Sequence, residues 1–118
     1  MPRLSTHVLD TWSGRPAPGV SIALHRIEPD GSRIRIVETV TNADGRTDTP
    51  LLAGDTFRVG RYEIEFGIGA YFRQAGANLP DPSFLDIVPV RFGIADPDGH
   101  YHVPLVASPW SYSTYRGS

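Results

Sequence analysis

Residues 100 to 108, HYHVPLVAS, decide how the chain is built. Successive side chains of an extended strand point to opposite faces. Tyr101, Val103 and Leu105 therefore share one side, and His100, His102, Pro104 and Val106 the other. Both sides are partly apolar. The stretch LSTHVLDT at 4 to 11 behaves likewise, with Leu4 and Val8 opposite His7 and Leu9. A sheet with one solvated face keeps that face polar, so these strands are expected to be covered on both faces. A chain of 118 residues has too little material for another layer, and the second cover is expected to come from another copy of the chain.

Outward from these two stretches the pattern repeats. VSIALHRIE (20 to 28), RIRIVETVT (33 to 41), RYEIEFGI (61 to 68), DIVPVRFGI (86 to 94) and WSYSTYR (110 to 116) read as further strands. Ser13-Gly14, Pro18-Gly19, Asp30-Gly31, Asp44-Gly45, Pro80 to Pro82, Asp96 to Gly99 and Ser108-Pro109 separate them as turn signals. A short strand around Gly45 to Thr47 would make eight. GAYFRQAG, 69 to 76, is the one candidate helix, closed by a glycine. Short strands at this spacing predict an all-β Greek-key sandwich or barrel in a single domain, 1 to 118.

Composition narrows the function classes. Eleven Lys and Arg against 13 Asp and Glu give a net charge of -2, which provides no bulk attraction for nucleic acid or an anionic membrane. The absence of cysteine excludes disulfides, thiol catalysis and cysteine metal sites. The opening MPRLSTHVLD has no apolar core of a leader, and no run of about 18 apolar residues occurs. The expectation is a cytoplasmic chain that neither leaves the cell nor spans a membrane.

Histidines are the first candidates for chemistry, because they titrate near neutral pH. His100 and His102 lie on one side of a strand, a spacing some metal sites use. Two ligands define no closed coordination sphere, which favours a metal-free role. His102, inside the predicted strand, is better placed for a fixed base than His100 at its turn end. His25 reads as a surface histidine. Arg46, after the Asp44-Gly45 turn, and Arg116, near the chain end, read singly as solvated arginines. Their forked donors suit planar anions and carbonyls, so two of them near two histidines would suit an anionic heterocycle. Gly67-Ile68-Gly69 lacks the third glycine of a dinucleotide loop and reads as a strand entering a helix. Asp96, Asp98 and Gly99 lack the later glutamate of a calcium loop.

Four stretches together carry a resemblance: THVLDTWSGRPAPGV (6 to 20), NADGR (42 to 46), EFGIGAYFRQAG (65 to 76) and HYHVPLVASPWSYSTYRGS (100 to 118). In this order and over nearly the whole chain, the sequence resembles the transthyretin-related 5-hydroxyisourate hydrolase family. The resemblance implies a transthyretin-like sandwich of two four-stranded sheets with one short helix. It also implies a homotetramer with active sites at the dimer–dimer interface. The functional residues it implies are His7, Arg46 and His102, with Tyr115, Arg116, Gly117 and Ser118 of the terminal Tyr-Arg-Gly-Ser binding substrate. The implied reaction is ring-opening hydrolysis of 5-hydroxyisourate to 2-oxo-4-hydroxy-4-carboxy-5-ureidoimidazoline in urate degradation, with no metal or organic cofactor. A transthyretin-like carrier of a small ligand is the competing expectation, because one fold hosts many functions.

Overall fold

The computed structural model describes residues 1–117, and Ser118 lies outside the described residues. One layer is the antiparallel sheet β5-β4-β7-β8, formed by β4 (Ser21–Ile27), β5 (Arg33–Val40), β7 (Gly60–Gly67) and β8 (Ile87–Ile94). The other layer is built from β1 (Arg3–Ser5), β2 (Val8–Asp10), β3 (Arg15–Pro16), β6 (Leu52–Ala53), β9 (His100–His102), β10 (Leu105–Ala107) and β11 (Tyr112–Thr114). Its strands fall in the orders β6-β1-β9 and β11-β10-β2-β3. The helix α1 (Ile68–Gln74) follows β7 directly, and Gly76, with φ near 100°, comes just after it.

The two strands expected at 4 to 11 and 100 to 108 are each interrupted in the middle. Pro104 has no N–H to give to a ladder, and at His7 the chain bridges Arg46 instead. Pairing nevertheless runs on through the gaps: β1 is parallel to β9 and β2 to β10. Between them Val103 N–H donates to the Ser5 carbonyl and Leu105 N–H to that of His7, both at 2.9 Å. Alternation therefore stays in phase. Leu4, Thr6, Val8 and Asp10 are buried, while Arg3 is exposed and Ser5, His7 and Leu9 are half-buried.

The buried sides of the two layers form the core, with Leu4, Val8, Val103 and Leu105 meeting Ile22, Leu24, Ile64 and Phe66 under Phe72 of α1. Burying one such aliphatic side chain contributes about 1.5–3 kcal/mol, so the phase of these strands is strongly specified. The opposite side of β1, β2, β9 and β10 carries the histidines.

Two sequence expectations need correction. The proposed strand at 45 to 47 is only a single bridge, Arg46 to His7, whereas β3 and β6 are two-residue strands too short for any alternation to show. His25 is not a surface histidine but only 4% exposed. The pairing of β4 with β5 shifts between Leu24 and His25, and His25 lies across from Glu63 on β7. Arg33 bridges Glu63 and Glu65 at 2.8 and 3.1 Å, and Arg91 reaches Glu63 at 3.4 Å. His25 sits beside this charged cluster on the same sheet. Its Nδ1, 3.7 Å from Glu65 Oε1, makes no hydrogen bond.

Candidate active site

The turn NADGR brings Arg46 to the histidine face. Asn42 Oδ1 accepts from the N–H groups of Asp44 and Arg46 at 2.9 and 3.2 Å, an Asx arrangement that makes the side chain part of the turn. Gly45 has φ 74°, and a Cβ there would stand 2.5 Å from the Val8 carbonyl oxygen. Only glycine meets both demands. Its own carbonyl accepts from Val8 N–H at 2.8 Å, which pins the turn to β2. His7 Nε2 lies 2.8 Å from the Asp44 carbonyl oxygen. A carbonyl only accepts, so Nε2 carries the hydrogen, and in the neutral ring Nδ1 holds the lone pair.

His102 is the last residue of β9, directly across the parallel ladder from Ser5. Its Nδ1 is 2.8 Å from Ser5 Oγ. The Gly117 N–H donates to the His102 carbonyl at 2.7 Å, and a Cβ on Gly117 would come 2.7 Å from the ring's Cδ2. The tail thus lies flat on the imidazole, and that contact requires glycine. Burial first, then the charges of Arg46, His7 and Arg3, hold the His102 pKa below the ordinary 6.5. Each cause opposes a positive ring, and the side chain is neutral at pH 7.

Arg3, Ser5, Arg46, His100, Tyr101 and His102 line a cleft of about 240 Å³. A second hollow of about 230 Å³ shares Arg3, Ser5 and Arg46 and extends to Thr47, Thr49 and Pro50. Arg116 takes a different place from Arg46. Its guanidinium stacks over the Tyr101 ring at 4.1 Å and donates to the His100 carbonyl at 3.3 Å. Tyr115 is exposed. The structure therefore brings His7, Arg46, His102 and Gly117 together, and anchors Arg116 against two residues that line the cleft. The proposed contribution of Ser118 falls outside the described residues. Arg3 and Ser5 went unnoticed in the sequence, although counting back in twos from His7 puts both on its face.

A larger hollow of about 740 Å³ lies between the β2–β3 turn and α1, lined by Asp10, Trp12, Arg15, Tyr71 and Gln74 among others. It holds no histidine. Tyr71 donates to Asp10 at 2.7 Å, and burial, then this bond, pushes its pKa up to about 12. Asp10 also accepts from the N–H groups of Trp12 and Ser13, so these polar groups are occupied in holding the turn. Among the described residues no group of three His, Asp or Glu is placed to hold a metal ion.

Fold and cleft together define a two-layer β-sandwich with a cation-rich cleft on the outer face of one layer. The chain belongs to the HIUase/Transthyretin family, whose profile matches residues 4–117. It is 60% identical over 117 residues to 5-hydroxyisourate hydrolase 2 of Rhizobium meliloti (strain 1021), covering 98% of this chain and 96% of the relative. The crystal structure of (S)-allantoin synthase superposes with a TM-score of 0.92 at 50% identity over 99% of this chain, which spans 44% of that protein's length. Sea bream transthyretin in complex with thyroxine matches with a TM-score of 0.85 at 32% identity, over 98% of this chain and 94% of that one.

Proposed function

We propose that the chain is a 5-hydroxyisourate hydrolase of urate degradation, a cyclic amidohydrolase acting on a ring C–N bond. One observation carries the reading: a neutral imidazole, His102, fixed beside the Arg46 guanidinium in a cleft sized for a single small heterocycle. Support also comes from the Rhizobium relative, a 5-hydroxyisourate hydrolase matched over nearly its whole length.

Water adds to the ring carbonyl as His102 takes its proton, forming the C–O bond and a tetrahedral oxyanion. The C–N bond then breaks, the carbon becomes a carboxylic acid that ionises, and the nitrogen leaves with a proton returned from His102. The product is 2-oxo-4-hydroxy-4-carboxy-5-ureidoimidazoline. Arg46 stabilises the oxyanion, where removing a comparable donor typically costs about 10²–10³-fold in rate. Arg3 adds a second guanidinium for the anionic ring, and His7 clamps the Arg46 turn through the Asp44 carbonyl. Arg116 and Gly117 border the cleft from the tail, and Tyr115 and Ser118 complete the proposed substrate-binding set. The reaction takes place in a homotetramer, with sites between dimers.

The test is the decay of freshly generated 5-hydroxyisourate, followed by ultraviolet absorbance against the spontaneous rate. His102→Ala should lower the rate by about 10²–10⁴-fold. Arg35→Ala, in an exposed pair with Glu38, should leave it unchanged. A wild-type protein that gives no acceleration would overturn the hydrolase reading and favour a small-ligand carrier, the role suggested by the thyroxine complex of sea bream transthyretin.

A further inference from the structure

We infer that Ser5 is a positioning residue for the hydrolysis: its hydroxyl accepts from Nδ1–H of His102 and so keeps the Nε2 lone pair of that ring free for the reacting water. The inference rests on the hydrolase reading for its consequence, but on geometry for its substance. Ser5 and His102 are direct partners in the β1–β9 ladder. Ser5 Oγ stands 2.8 Å from His102 Nδ1, and both residues line the cleft that Arg46 enters.

The backbone leaves Ser5 little freedom. Its carbonyl accepts from Val103 N–H at 2.9 Å, and Leu4 and Thr6 on either side are buried. The histidine is equally confined, between the Ser5 hydroxyl and the flat surface of Gly117. His102 Nε2 has no hydrogen-bond partner among the described residues.

Two arrangements satisfy the 2.8 Å contact. If the hydroxyl donated to Nδ1, the neutral ring would carry its hydrogen on Nε2 and could not act there as a base. If Nδ1–H donates to the hydroxyl, Nε2 is the base, and when it takes the water's proton the Nδ1–H bond to Ser5 persists and strengthens. Only the second arrangement serves both the neutral ring and the imidazolium without any group turning. The charged and titratable groups around the ring are Arg3 at the start of β1, His7 two residues past its end, Arg46 from the turn and His100 on β9, and Arg116 stacks on the neighbouring Tyr101. Most are positive or can become so. Ser5 thereby supplies an acceptor to a cation that its neighbours disfavour.

The experiment compares wild type, Ser5→Ala and Ser5→Thr by two readouts. The first is long-range ¹H–¹⁵N correlation of the histidine rings at pH 8, which assigns the tautomer without substrate. His102 should appear with hydrogen on Nδ1 in wild type and Ser5→Thr, and as a mixture in Ser5→Ala. The second is the pH dependence of hydrolysis. Ser5→Ala should lower kcat by about 10- to 10²-fold with KM little changed and move the acid-side midpoint down, and Ser5→Thr should restore both. A wild-type ring with hydrogen on Nε2, or a Ser5→Ala protein with unchanged tautomer and midpoint, overturns the inference. A protein with the expected tautomers and no hydrolysis at all instead overturns the hydrolase reading and leaves Ser5's hold on the ring in place.

Discussion

At the scale of single residues, the proposed reaction depends on one histidine being reluctant to take a charge. His102 must be neutral to take a proton, and burial, Arg46, His7 and Arg3 all depress its pKa below 6.5. Activity is therefore expected to persist below pH 6.5 and to fall away only as pH drops through the lowered value. Arg46→Gln removes the strongest of the charged causes while leaving burial in place. The acid-side midpoint of kcat/KM should rise toward 6.5, and kcat should fall by about 10²–10³-fold from the lost oxyanion donor. Rate profiles between pH 5 and 8 decide it, and a midpoint that stays put or falls would show that Arg46 does not act on His102. The same residues mark how far the sequence could be read. Alternation alone set His7 opposite Leu4 and Val8, and His102 opposite Tyr101, Val103 and Leu105, without saying which side was the core; the histidine side also contained Arg3 and Ser5. That Arg46 meets His7 was carried by the family resemblance, because nothing local encodes a pairing between a turn and a distant strand.

At the scale of elements, the turn from Asn42 to Arg46 is the piece that converts a sandwich face into a site. Its geometry is over-determined: Asn42 Oδ1 fills the inside, Gly45 takes a positive φ, and the Val8 N–H bond to the Gly45 carbonyl ties it to β2. Gly45→Ala meets a left-handed backbone and a 2.5 Å contact with the Val8 carbonyl together. It should cost about 1–3 kcal/mol of stability and lower kcat more than an equally destabilising change elsewhere, because Arg46 is displaced with the turn. Thermal melts alongside rate measurements separate the two effects. A stable, fully active variant would mean that the turn does not position Arg46. The Asp44-Gly45 pair was legible as a turn, since glycine and Asx residues are direct signals. His25 was not legible as buried, because the charged residues beside it, Glu63 and Glu65, come from β7, far along the chain. Burial beside charged side chains depends on sheet order, which periodicity does not report.

At the scale of the whole molecule, the two sheets end on strands with unpaired edges and apolar side chains. β8 closes one layer and β11 one end of the other. Phe84, just before β8, lies 6.1 Å from Trp110, just before β11, which links the two ends. Phe84, Ile87, Trp110, Tyr112 and Tyr115 are all exposed. An open edge rimmed with aromatic residues is a place for another strand to add, and the histidine face beside it is apolar as well as polar. These features support the assembly expected from the two-sided strands at 4 to 11 and 100 to 108. Sizing chromatography with light scattering at micromolar concentration should give four times the chain mass. Trp110→Glu places a charge in the aromatic patch without touching the cleft residues, so it should shift the protein toward smaller species. If the site is completed between dimers, hydrolysis should fall in proportion to the tetramer remaining, with circular dichroism unchanged. A Trp110→Glu monomer that retains full activity would show instead that His7, Arg46, His102 and the tail form a complete site within one chain, and that the exposed edge serves assembly alone.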